Sequence, residues 1–164
     1  MHRAATLDIL RRLAASGVDF VVVGMAAGVL RGAPLTTVDL HVVHSRAGDN
    51  VARLLAVLRE LDAVYRHDPR RLRPQESHLS GPGHQLLTTS LGDLDCLGSI
   101  GSGLTYLELL PRSGPMQLEP GLAVHVIDLP TLIELKQAAG RPKDLAVLPV
   151  LHATLAEVRR RSEG

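Results

Sequence analysis

Val21-Val22-Val23-Gly24-Met25-Ala26-Ala27, followed after a loop by Thr37-Val38-Asp39-Leu40-His41-Val42-Val43, is the stretch whose reading decides the fold. A β-branched apolar run that stops at a glycine reads as a buried strand, here over 19–23, turning into a small-residue helix over 25–31. The second half reads as another strand over 37–43. Residues two apart in a strand point to the same face, so Asp39 and His41 are expected to project together toward the helix that begins near Met25. The start of that helix offers unpaired backbone N–H groups and a positive dipole end, a seat for phosphate. An anion seat beside a metal site is the resulting expectation.

Working outward, Leu7, Leu10 and Leu13 recur at helical spacing and predict an amphipathic helix over 6–15, capped by Thr6 and stopped by Gly17. Gly32 closes the small-residue helix, and Pro34 makes 33–36 a loop. Val51, Leu54, Leu55, Val57, Leu58 and Leu61 mark a helix over 50–61. The polar stretch 66–83, with Arg66, His67, Arg70, Arg71 and Arg73, reads as a long mobile loop, either a solvated one or an electropositive arm. Two strands are expected over 85–89 and 94–100, a helical turn over 106–110, and a hairpin from 116–118 and 122–126. Asp128-Leu129-Pro130 signals a helix start, and that helix ends at Gly140. A further helix opens at Pro142, is interrupted at Pro149, and resumes toward Arg161.

The 164 residues are expected to make one domain, in which roughly two-thirds of the unfolded surface is buried. Hydrophobic residues make up 45% and aromatics only 2%, so Leu, Val, Ala and Ile must fill the core. With 18 basic against 17 acidic residues the formal charge is +1, which argues neither for nor against nucleic acid as a partner. Cys96, the only cysteine, excludes an intramolecular disulfide and a cysteine-based zinc cluster, and in its apolar run it reads as buried filler. No apolar run approaches the ~20 residues needed to span a bilayer, and no signal-peptide core stands at 1–13, so the chain reads as soluble and cytoplasmic.

The order of strand, Gly-x, small helix, then strand with Asp-x-acid resembles the nucleotidyltransferase superfamily pattern, G-[GS] followed later by D-x-[DE]. It stands here as Gly24-Met25 and Asp39-Leu40-His41. Thr89-Ser90-Leu91-Gly92-Asp93-Leu94-Asp95 looks like the strand that carries the family's third carboxylate. Leu135-Lys136-Gln137-Ala138-Ala139-Gly140-Arg141-Pro142-Lys143-Asp144-Leu145 resembles the helix–Lys–Arg–x–Lys–Asp segment of small bacterial members, toxin-like ones of toxin–antitoxin systems included. The four segments come in the family's order and span about 18–151.

The resemblance implies an α/β fold, a mixed β-sheet flanked by helices. The core would cover about 18–128, with C-terminal helices over 129–164 packed alongside. It implies transfer of a nucleoside monophosphate from a nucleoside triphosphate to a hydroxyl of RNA, a protein side chain or a small molecule such as an aminoglycoside. Asp39 and Asp95 take the catalytic roles in this picture, and Asp39, His41 and Asp95 hold a divalent metal, Mg or Mn. Gly24, Met25, Thr37 and Lys136 are the implied nucleotide-binding residues.

Two departures bear on activity. His41 stands where the pattern has a second acid, which removes a charge and shifts the preference toward Mn or Zn. Met25 replaces a small or hydroxyl residue and crowds the phosphate seat. A second reading is therefore a degenerate member that binds a nucleotide or a protein partner without turnover. On the residues alone, Asp39 and His41 also fit a simple hydrogen-bonded pair, Asp95 a cap of the Gly92 turn with Asp93 competing for its role, and Lys143-Asp144 a helix-start charge pair. His44, His67, His78 and His84 lack ligand spacing and read as surface histidines. The third reading is an unrelated small α/β domain with no ligand site.

Overall fold

The computed structural model describes residues 3–37 and 39–164; Met1, His2 and Val38, which fall within the N-terminal stretch 1–13 and the strand expected over 37–43, lie outside the described residues. Helix α1 (Arg3–Ala15) puts Ile9, Leu10 and Leu13 fully out of solvent, one face of an amphipathic helix. Strand β1 (Phe20–Val23) is buried at every residue because it has a strand on each side. It turns directly into α2 (Gly24–Leu30). Strand β2 (Leu40–His44) and helix α3 (Gly48–Glu60) follow, and α3 buries Val51, Leu54, Leu55, Val57 and Leu58. Each such leucine contributes about 1.5–3 kcal/mol of burial, several times any helix propensity, so Leu54→Ala would undo α3's packing more than a surface Gly would.

Next come β3 (Val64–Tyr65), α4 (Glu76–Ser80), the hairpin β4 (His84–Thr89) and β5 (Gly92–Leu97), and α5 (Tyr106–Leu109), which runs into a 3₁₀ turn. A second hairpin, β6 (Ser113–Glu119) and β7 (Leu122–Ile127), leads to α6 (Leu129–Ala139) and α7 (Pro142–Glu163). Asp128 caps α6 by accepting from Thr131 N–H at 2.8 Å, and Gly140 closes it in the left-handed conformation, φ 63°.

The strands form one seven-stranded sheet in the order β3-β4-β5-β2-β1-β7-β6. The β1–β7 and β2–β5 pairs are parallel and the others antiparallel, so the sheet is mixed and helix-flanked, with α6 and α7 packed on each other beside it. The strand register sets His41 opposite Val23 on one side and Asp95 on the other, and Asp95 opposite Leu86.

Four expectations are corrected. Strand β2 begins at Leu40, leaving Asp39 just ahead of it, where Thr37 Oγ1 donates to the Asp39 carbonyl at 3.1 Å in place of a ladder bond. The stretch 66–83 is not a free loop. It contains α4 with buried Leu79, Arg66 N–H donates to the Leu86 carbonyl, and Tyr65 N–H donates to that of Leu72. Three of its arginines have acidic partners: Arg70 pairs with Asp68, Arg73 with Asp62, and Arg66 turns inward to Asp95.

Helix α7 runs unbroken through Pro149. The carbonyl that loses its partner there belongs to Leu145, which is 49% exposed, so water can satisfy it. His44 is buried, because β2 is long enough to carry it inside. Its Nδ1–H donates to the Ser45 carbonyl, and burial holds its pKa below the usual histidine value.

Candidate functional site

Where β1 turns into α2, Gly24 has φ +65°. The left-handed turn favours glycine there, and a Cβ at this position would come into van der Waals contact with the imidazole, 3.4 Å from His41 Nδ1. Helix α2 has only seven residues and no side-chain cap at its start. Its dipole is correspondingly small, and the anion seat expected at its N-terminus has little charge of its own.

Beside Gly24 the sheet register brings together residues far apart in sequence. Parallel pairing of β2 with β5 sets Asp95 next to His41, and His41 Nε2 lies 2.9 Å from Asp95 Oδ2. Asp39 Oδ2 is 3.9 Å from the same nitrogen. One ligand atom from each of Asp39, His41 and Asp95 falls within 4.8 Å of the others. Asp95 is nearly closed off, with 4% of its side chain exposed, whereas Asp39 and His41 are open at 38% and 35%. Burial alone would push the Asp95 carboxyl up, but hydrogen bonds and charge from His41 and Arg66 outweigh it and hold the carboxyl below the usual value.

These donors suit a divalent ion. Bonds of about 2.1 Å to one centre separate neighbouring donors by roughly 3 Å and opposed ones by roughly 4 Å, which spans the distances found here. Two carboxylate oxygens with an imidazole nitrogen form a mixed donor set, better matched to Mn or Zn than to Mg.

A cavity of about 270 Å³ joins this group to the C-terminal helices and is lined among others by Gly24, His41, Asp95, Lys136, Arg141 and Asp144. Asp144 is fully buried in the first turn of α7. It accepts from Lys136 Nζ at 3.2 Å and from Arg141 Nε at 2.6 Å. The Arg141 hydrogen bond is the main reason its carboxyl is pushed down to about 2. Two cations on one carboxylate leave a net positive charge in the lining that His41 and Asp95 share.

Of the residues expected to form the site, Gly24, His41, Asp95 and Lys136 line one cavity and Asp39 stands against His41. Thr37 lines a different cavity, with Thr6 and Met116. Met25 does not line the shared cavity; its terminal methyl packs over Gly28, so it leaves the space beside Gly24 less crowded than the sequence implied. Asp93 reaches only Arg66, at 3.7 Å, and Cys96 is buried with its thiol pushed up by burial. Arg66, Arg141 and Asp144 were not expected at the site. For Asp144 a signal existed, a carboxylate three residues after Arg141 at a helix start. For Arg66 none did.

A larger cavity of about 550 Å³ lies between α2 and α7. Its charged groups are already engaged: Arg31 donates to the carbonyls of Val126 and Ile127, and Glu157 pairs with Arg160 and Arg161. It holds no converging donors.

No family model matches the chain, and no curated protein matches it in sequence. Among solved structures, a crystal structure from Thermotoga maritima described as a "putative nucleotidyltransferase" is similar to it. The TM-score is 0.58 and the identity 16%, over 91% of this chain and 93% of that one. At that identity the likeness is one of architecture, carried over nearly the whole of both chains. The chain has a nucleotidyltransferase-type α/β fold.

Proposed function

We propose that the chain, acting as one unit over 1–164, binds a nucleoside triphosphate in the cavity beside Gly24 and transfers its nucleoside monophosphate to a hydroxyl acceptor. The observation that carries this reading is the convergence of Asp39, His41 and Asp95, of which His41 and Asp95 line the same cavity as Lys136 and Arg141. Asp39, His41 and Asp95 would hold a divalent ion, which supplies charge stabilisation to a phosphoryl group and lowers the pKa of a bound hydroxyl. Lys136 offers the phosphates a point charge, and Arg141 a planar fork of donors. Asp144 fixes the position of both. Gly24 lets phosphate oxygens approach the backbone, with no side chain between them and the His41 ring. Asp39 is the more open carboxylate and the one free to face the reacting phosphate. Asp95 orients His41 and shares its charge.

One observation favours a second reading, nucleotide binding without turnover, in a degenerate or partner-bound role. Both Asp95 oxygens are engaged, Oδ2 by His41 and Oδ1 by Arg66 at 3.0 Å, and a carboxylate held at low pKa is a weak proton acceptor.

The test is incubation with each labelled nucleoside triphosphate and Mn²⁺, offering bulk RNA, protein and an aminoglycoside as acceptors. Covalent label that vanishes in Asp39→Ala and in Asp95→Ala is the expected result. Transfer retained by either variant contradicts the assignment, and tight binding with no transfer to any acceptor selects the second reading.

A further inference from the structure

Arg66 crosses a strand to reach the site. Its N–H donates to the Leu86 carbonyl at 3.0 Å, Leu86 lies opposite Asp95, and Asp95 lies opposite His41. Residues directly opposite in neighbouring strands share a face, so the register lays Arg66, Leu86, Asp95 and His41 in one row across the sheet. From there the guanidinium is fixed twice: Nη1 donates to the Leu87 carbonyl at 2.8 Å and Nη2 to Asp95 Oδ1 at 3.0 Å. Its side chain is only 18% exposed, and Asp93 stands 3.7 Å away as a second counter-charge.

An arginine stays charged at any working pH. Asp95 therefore has one oxygen, Oδ2, left to share with His41 and Asp39, while Oδ1 is closed by a permanent cation. A carboxylate that bridges two metal ions one per oxygen needs both oxygens free, and a divalent ion brought to Oδ1 would meet a buried like charge at close range, where screening is weak.

We propose that Arg66 is a built-in cation that takes the place of a second metal ion, limiting the site to one divalent ion and weakening the hold on that one. This rests on the ion-binding part of the function proposed above.

The test is titration of the full chain with Mn²⁺ alone, followed by calorimetry and by electron paramagnetic resonance, with the unfolding midpoint of each variant measured alongside. The wild type is expected to bind one Mn²⁺ in a manner lost in Asp39→Asn. Arg66→Gln, which keeps a donor for the Leu87 carbonyl but removes the charge, is expected to bind a second ion, or the same one at least tenfold more tightly. Arg66→Lys, which keeps the charge, should stay within threefold of the wild type. A folded Arg66→Gln with wild-type stoichiometry and affinity overturns the proposal and leaves the ion reading standing. Two Asp39-dependent ions in the wild type overturn it even if Arg66→Gln does not fold. Absence of Asp39-dependent binding in both proteins removes the ion reading and this proposal together.

Discussion

Asp95 and Asp144 line the same cavity, both buried and both with each oxygen engaged, yet they are built for different work. Asp144 is enclosed by two permanent or strongly basic cations, Lys136 and Arg141. Asp95 is held by one arginine and one imidazole, with a second carboxylate, Asp39, close to that imidazole. The first arrangement is a strut that fixes positive charge. The second is a cluster with an open acidic partner, able to accept another cation. A buried carboxylate says little by itself; the identity of what surrounds it separates scaffold from site.

The sharpest way to break this comparison is Asp144→Asn. Removing one member of a buried ion pair costs about 3–5 kcal/mol, and because Arg141 is 58% exposed and can return to water, about 3 kcal/mol is expected. Denaturant unfolding measures it. A loss below ~1 kcal/mol would mean Asp144 is no strut.

Acid should weaken the same contact in a defined window. The Asp144 carboxyl lies at about 2 in the folded chain, below its ordinary value of 3.8. Its contribution is therefore fully present above pH ~4 and lost as pH falls through about 2, since the unfolded chain binds the proton first. Asp95, also held low, adds loss in the same direction. In Asp144→Asn the unfolding midpoint should fall less steeply between pH 4 and pH 2 than in the wild type; parallel curves would break the comparison.

The smallest expected effect on stability is at Asp39. Its side chain is 38% exposed and, among the described residues, comes no closer to a charged partner than 3.9 Å from His41. Asp39→Ala should change unfolding free energy by no more than about 0.5 kcal/mol. A large loss would make it scaffold like Asp144.

Much of this arrangement was legible in the sequence. Val21, Val22 and Val23 ending at Gly24 announced the central strand and its turn, and the alternation of Asp39 and His41 pointed to their nearness even though the strand starts at Leu40, three residues later than expected. Asp95 came from the resemblance, since on the residues alone it also fitted a cap of the Gly92 turn with Asp93 competing for its role. The sequence misled where contacts are long-range. Arg66 sits 29 residues from Asp95 in a polar, arginine-rich stretch, and only the order of strands β3, β4 and β5 carries it inward. Pro149 read as a break because its missing bond is local, while the exposure of Leu145 that makes the loss tolerable is tertiary. Thr37 lay near the motif in sequence but faces another cavity.

The central claim is that one site holds two parts of one ligand, a metal ion at Asp39, His41 and Asp95 and phosphates at Lys136. The most direct measurement is titration of the wild type, Asp39→Asn and Lys136→Gln, first with Mn²⁺ alone and then with inorganic triphosphate in the presence of Mn²⁺. Mn²⁺ is expected to bind the wild type and Lys136→Gln alike but not Asp39→Asn, and triphosphate to bind only the wild type. Triphosphate and Mn²⁺ affinities in Asp39→Asn equal to those of the wild type would contradict the claim.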